Sequence, residues 1–178
     1  MMAMILLTGL AGFAQNFDKG SSGINAGIGL GPGYYGGGYG FAFGVNGSYE
    51  YGIVKIPMGD KLHGVIGIGG LAGISWTTSN TYGGDWRYTN WTIAARGTYH
   101  FIFMDKFDPY AGILLGYRGQ SWKWTGTGSG PWDAGSSGGF TGGFFVGARY
   151  YFSDGFGVYA ELGYLLNVLN IGVTFKIN

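Results

Sequence analysis

Along most of this chain, apolar side chains fall on every second residue. The last stretch shows it most clearly: Leu169, Ile171, Val173, Phe175 and Ile177 alternate with Asn170, Gly172, Thr174 and Lys176. A period of two puts the two sets on opposite faces of a strand, whereas a helix repeats every 3.6 residues. Seven earlier segments read the same way. Residues 23–30 place Ile24, Ala26, Ile28 and Leu30 on one face, and residues 39–51 set Phe41, Phe43, Val45, Tyr49 and Tyr51 against Ala42, Asn46, Ser48 and Glu50. Residues 62–76 carry Ile66, Ile68, Ala72, Ile74 and Trp76 in one phase. The fourth segment sets Trp91, Ile93, Ala95, Tyr99, Phe101 and Phe103 against Thr92, Arg96, Thr98 and His100. The fifth, 110–118, has Ala111, Ile113, Leu115 and Tyr117 in phase, and the sixth, 140–152, sets Phe144, Val146, Ala148 and Tyr150 against Thr141, Gly143 and Arg149. In the seventh, 158–166, Val158, Ala160, Leu162 and Tyr164 oppose Tyr159, Glu161 and Gly163.

Eight strands of this length need eight-minus-one connections, and the sequence supplies turn chemistry for them. Pro32-Gly33, Met58-Gly59-Asp60, the 105–109 segment ending in Asp108-Pro109, and Ser153-Asp154-Gly155 are tight-turn sequences. Two links read as longer and polar, residues 77–90 and 119–139. With both termini on one side, the two long links share the far side while the turns at 104–109 and 153–156 lie on the near side. The first hairpin fits this asymmetry less well, because its far-side link is shorter than its near-side neighbour at 52–61.

Composition decides what kind of β-protein this is. Charged residues are 11% of the 178, aromatics 19%, and glycine contributes 40. Ordinary soluble domains carry about 25% charge, and a soluble surface this apolar would aggregate. Yet no apolar run reaches the roughly 18 residues that a spanning helix needs. Lipid tolerates only helices and closed barrels, because each satisfies every backbone group internally. The expectation is therefore an all-β fold: an eight-stranded antiparallel up-and-down transmembrane β-barrel. A net charge of +1 without a basic cluster argues against nucleic-acid binding, and the absence of cysteine excludes disulfides and thiolate sites. Residues 4–13 form a short apolar run ending in Gly12-Phe13-Ala14, the small-residue pattern of an export-signal cleavage site. No Lys or Arg precedes that run, which suggests a start further upstream. Residues 1–14 are thus read as a signal peptide and 15–178 as the barrel domain.

The C-terminal octet carries a second message. Asn170, Gly172 and Phe175 match the polar-x-Gly-x-x-aromatic-x-apolar pattern by which outer-membrane barrels are recognised for insertion, with Ile177 in place of the usual final aromatic and Asn178 one residue beyond it. Together with the repeated alternation, residues 23–177 resemble the OmpX/OmpA-type eight-stranded outer-membrane barrels, barrel part only. The resemblance implies a monomeric protein of the bacterial outer membrane, reached through the periplasm. Its partners would be outer-membrane lipid and, through Asn170 to Ile177, the barrel-insertion machinery; the external partner is left open. It implies a structural or surface-interaction role through the external loops, with no enzymatic activity and no cofactor. The alternative is a narrow channel for ions or very small solutes, and a lipid-modifying barrel enzyme is a third reading.

An eight-stranded barrel is just wide enough to be filled by its own side chains. Residues in the inward phase are expected to be small or polar, and the charged ones form a lumen cluster of Glu50, Arg96, Arg149 and Glu161, with Lys176 as a further member. A buried charge is costly unless paired, and Arg149 and Glu161 sit at similar distances from the turn at 153–156, which makes them the expected pair. Trp76 and Trp91 fit an interfacial girdle. Trp124 and Trp132, in the long Gly/Ser-rich link with Trp122, are the loop candidates for binding. His63 and His100 fall near the near-side ends of strands, away from any serine suited to a dyad, and are read as structural. The Gly67-Ile68-Gly69-Gly70 run precedes no helix pattern, so it is not a dinucleotide loop.

Overall fold

The computed structural model describes residues 17–35, 38–59, 62–81, 84–125, 134–163 and 166–177. They form eight strands: β1 (Ser22–Tyr35), β2 (Gly38–Pro57), β3 (His63–Thr81), β4 (Gly84–Ile102), β5 (Phe107–Trp124), β6 (Ala134–Tyr151), β7 (Phe156–Gly163) and β8 (Leu169–Ile177). Each pairs antiparallel with the next, and β8 closes the ring on β1. The alternation puts apolar side chains on the outer wall and polar ones inside. Ile93 is 63% exposed while its neighbour Thr92 is fully buried. A large apolar residue exposed beside a buried polar one inverts the rule for soluble proteins and fits a wall in lipid.

Three sequence expectations change. The strands of the first six positions are longer than their apolar alternation, and the expected long link at 77–90 is mostly ladder: Thr78 pairs with Arg87 and Thr81 with Gly84. Likewise Trp122 and Trp124 belong to β5 rather than to a loop, opposite Tyr88 and Trp86. Cross-strand aromatic pairs of this kind stabilise a ladder even where no lipid covers it. The first outer hairpin also extends to Tyr35 and Gly38, and β2 runs on to Pro57 through a bulge between Gly52 and Val54. Finally, the inward face is not only small and polar. Leu71, Ala94, Tyr110, Leu114 and Phe145 form a buried apolar cluster within the lumen, because a narrow barrel needs bulk as well as hydrogen bonds to fill it.

Two strands are short. The last β6–β7 pair is Phe145 with Gly163, and the last β1–β8 pair is Leu30 with Leu169. Beyond these points β6 pairs only with β5, and β1 only with β2, among the described residues. The ring therefore continues outward as a curved six-stranded sheet, notched above the β7–β8 hairpin. β1 turns at this level through Gly31, whose φ of 145° suits glycine alone.

Candidate functional site

The lumen is filled at three levels, and the polar middle level is the most elaborate. Five strands contribute to it. Glu50, from β2, is its hub: it receives Arg149 Nη2 at 2.6 Å, lies 3.7 Å from Arg96 Nη2, faces His100 Nε2 at 2.5 Å and accepts a hydrogen bond from Thr98. Glu161, from β7, receives Arg96 Nη2 and the Tyr110 hydroxyl, both at 2.8 Å. Arg96 also donates to Ser48 Oγ at 3.0 Å. Asp108, at the start of β5, sits 2.7 Å from His100 Nδ1 and 3.6 Å from Arg149 Nη1. The guanidinium groups stack as well, Arg149 over the Tyr110 ring at 4.8 Å and Arg96 over Phe145 at 4.6 Å.

The charges of this cluster can be summed. Glu50, Asp108 and Glu161 contribute three negatives, Arg96 and Arg149 two positives. Both ring nitrogens of His100 face carboxylate oxygens, and only an imidazolium donates from both. In that form the six groups sum to zero. Neutrality with every charge paired is what makes ionised groups tolerable out of water.

All four sequence-derived lumen residues lie in this cluster, but not in the expected pairing. Arg149 and Glu161 are not each other's partners. The register sets Arg149 opposite Tyr159 and Glu161 opposite Gly147, so the two long side chains reach across the lumen instead, to β2 and β4. Lys176 is buried as well, its ammonium 5.7 Å from the centre of the Tyr151 ring. His100, Asp108 and Tyr110 were not assigned to the cluster from sequence. His100 carried the right signal, since it shares the phase of Arg96. Asp108 reads from sequence as turn chemistry because it stands beside Pro109.

The inner, periplasmic level is a plug made by the chain before β1. Phe17 is fully buried, packed with Val65 and Ile102 and stacked on the His100 ring at 4.4 Å. The residues after it are tied down: Gly20 N–H donates to the Gly52 carbonyl at 2.8 Å, Gly52 N–H to the Ser21 carbonyl at 3.0 Å, and Lys55 pairs with Asp18 at 2.6 Å. His63 lies at the same mouth, 4.0 Å from Asp18. The outer level is closed by residues 166 and 167, just before β8. Leu166 and Asn167 are buried there. A Cβ at Gly29 or Gly44 would collide with the Asn167 side chain, and one at Gly73 with Leu166, so glycines of three strands make room for this inward fold.

Above the lumen, the inner face of the extended sheet carries an aromatic strip. Trp86 and Trp124 meet edge to face at 5.1 Å, and Trp86 stacks with Tyr88 at 6.5 Å. Trp124, a sequence-derived loop candidate, thus stands on a strand; Trp132 lies outside the described residues. On the outer wall, Trp91 packs with Tyr117 at 5.7 Å and Tyr117 with Phe140 at 5.8 Å, a continuous aromatic row of the kind that marks a membrane interface.

Known proteins share this architecture. The Yersinia pestis attachment invasion locus protein Ail is similar in structure, with TM-score 0.52 and 16% identity over 89% of this chain and 99% of that one. The N-terminal barrel domain of Pseudomonas aeruginosa OprF aligns over 89% of this chain and 98% of that one at 16% identity and TM-score 0.42. Neisserial surface protein A aligns over 88% and 96% at 15% identity and TM-score 0.46. No curated protein sequence matches. The family model for the outer membrane protein beta-barrel domain matches residues 3–175; this chain belongs to that family and is an integral β-barrel of the bacterial outer membrane.

Proposed function

We propose that this barrel conducts nothing and catalyses nothing, and that it acts at the cell surface through the sheet it raises beyond the membrane. The observation that carries this reading is strand length. β2 to β6 have 18 to 20 residues each, roughly twice the 9 to 11 needed to span. Below that extension the lumen is occupied by paired charges, a buried Phe17 and an inward-folded connection. A protein that extends its outer wall and fills its pore is built to present a surface. The strip of Trp86, Tyr88 and Trp124 is the part of that surface with the most contact area to offer. Ail, which has the same fold, is named for attachment and invasion, a role of the same class. In this reading residues 1–14 are removed on export, residues 15–178 form the mature barrel, and Asn170 to Ile177 is the segment offered to the insertion machinery.

Purified protein in planar bilayers should show no discrete conductance steps. Cells carrying a Trp86→Ala, Trp124→Ala double variant should insert the barrel normally and lose the adhesion that the wild type confers. Ohmic steps from the wild type would overturn the closed-lumen reading, and unchanged adhesion would move the contact surface elsewhere.

A further inference from the structure

The notch above β7–β8 opens sideways, and part of it lies at the level of the lipid. The row Trp91–Tyr117–Phe140 sets the outer interface on β4, β5 and β6. Residues 141–144 of β6 lie on the membrane side of that row, yet their β7 edge has no strand partner among the described residues, since pairing ends at Phe145. Phe140 and Phe144 are accordingly 95% and 80% exposed. Unpaired backbone facing hydrocarbon is strongly disfavoured and is normally covered.

The two sides of the notch differ. On β1 the free edge carries Gly31 and Pro32, and Val168 packs against Gly31; a proline has no N–H to leave unsatisfied, a common way of blunting an edge. The β6 edge has no such protection. Its sequence is Gly138-Gly139-Phe140-Thr141-Gly142-Gly143, with neither charge nor proline. Where the glycines leave out side chains, the wall has a pocket of about 590 Å³ lined by Ile113, Leu114, Leu115, Gly142, Gly143 and Phe144. That volume lies within the roughly 300–1,000 Å³ range of small-molecule sites. Its lining is three consecutive rungs of the β5–β6 ladder, Ile113 with Phe144, Leu114 with Gly143 and Leu115 with Gly142, so it lies on the outer wall beside the edge strand.

We infer that the notch is a lipid site, in which an acyl chain of an outer-leaflet lipid lies in this pocket. Every side chain that lines it is apolar, the pocket is continuous with the wall already in contact with lipid, and it lies below the aromatic row, at chain depth. The lipid's polar head then stands at the level of Phe140, where its oxygens can accept from N–H groups of the β6 edge that have no strand partner among the described residues. An added strand from a second copy would pair those groups too, but would leave the pocket beneath them empty. The inference is independent of the surface role proposed above.

Full-length protein reconstituted in phosphatidylethanolamine vesicles, extracted in mild detergent and weighed by native mass spectrometry should carry one retained phospholipid. Gly142→Leu places a side chain in the pocket: a Cβ there already meets Leu115 at 3.1 Å. It should lower lipid occupancy about tenfold, equivalent to displacing roughly two chain methylenes. Heat-shifted gel mobility establishes that the variant is folded. If it is not, Phe144→Ala, which removes one exposed wall, should lower occupancy without disturbing folding. Wild-type protein that retains no lipid overturns the inference, as does folded Gly142→Leu protein with undiminished occupancy. Efficient disulfide dimers of Ser136→Cys in the vesicles, with no lipid retained, would assign the edge to a second copy instead.

Discussion

At the scale of single residues, position along the strand decides what a charge costs. Glu50 accepts from Arg149, Thr98 and His100, and Glu161 from Arg96 and Tyr110. Removing one partner of a buried pair typically costs about 3 to 5 kcal/mol, while replacing both is often far milder. Glu50→Gln leaves Arg149 and His100 facing a neutral amide and should destabilise more than Glu161→Gln, whose Arg96 still has Glu50 within 3.7 Å. Urea titrations of the folded barrel in lipid would check the order; equal losses would mean the two acids are not hub and satellite. On the outer wall, Ile113→Arg, opposite Gly97 and well inside the aromatic row, should cost about 2 to 4 kcal/mol near the midplane, and Ser121→Arg, exposed beyond the Trp91–Tyr117 row, close to zero. Phase was legible from sequence because it depends only on odd and even positions, which is why Glu50, Arg96, Arg149 and Glu161 were found together. Partners were not legible. Arg149 and Glu50 stand 99 positions apart, and which side chains meet across a lumen depends on the stagger of strands that do not touch.

At the scale of elements, every strand was visible where its two faces differ and invisible where they do not. Inside the membrane one face meets hydrocarbon and the other the lumen, so the sequence alternates. Beyond the outer aromatic row both faces meet water, and stretches such as Thr77-Thr78-Ser79 lose the contrast although the ladder continues. Periodicity reads environment, not hydrogen bonding, and so the extensions passed for loops. Amide exchange should separate the two: residues 86–90 and 120–124, paired with each other, should be protected like strand rather than exchange like loop. The segment before β1 was missed for the opposite reason, since five residues are too few for any period. Its anchor, Asp18, is partly desolvated, which alone would raise its pKa, but the hydrogen bond and charge of Lys55 outweigh this and hold it below the ordinary 3.8. A carboxylate whose folded pKa is depressed stabilises above its unfolded value and loses that contribution as pH falls through the folded one. Cleavage by an acid protease next to Phe17 should therefore rise only below about pH 4, and a Lys55→Met variant, lacking the partner, should be cut at higher pH as well. A flat profile in both would mean that Phe17 alone holds the segment.

At the scale of the whole molecule, the question is what it takes to open a pore filled at several levels. Phe17 closes the periplasmic mouth, the paired charges and the Leu71–Phe145 cluster fill the middle, and Leu166 with Asn167 closes the outer mouth. Barriers in series leave a path as closed as its tightest level, so relieving one changes little while the others remain. Phe17→Ala, and separately a Leu166→Ala, Asn167→Ala change, should leave planar bilayers silent. Combining them should still fail to open the path, because Arg96, Arg149, Glu50 and Glu161 bridge four strands across the middle. The variants should keep the heat-dependent gel shift of a folded barrel, since neither mouth takes part in the β1–β8 closure at Ser22 to Leu30. Discrete steps appearing with Phe17→Ala alone would show that the plug is the gate and the charge cluster a wet lining. Steps only in a barrel that also lacks Arg149 and Glu50 would show the middle level to be the seal, with its cost in stability matching the single-residue losses argued above.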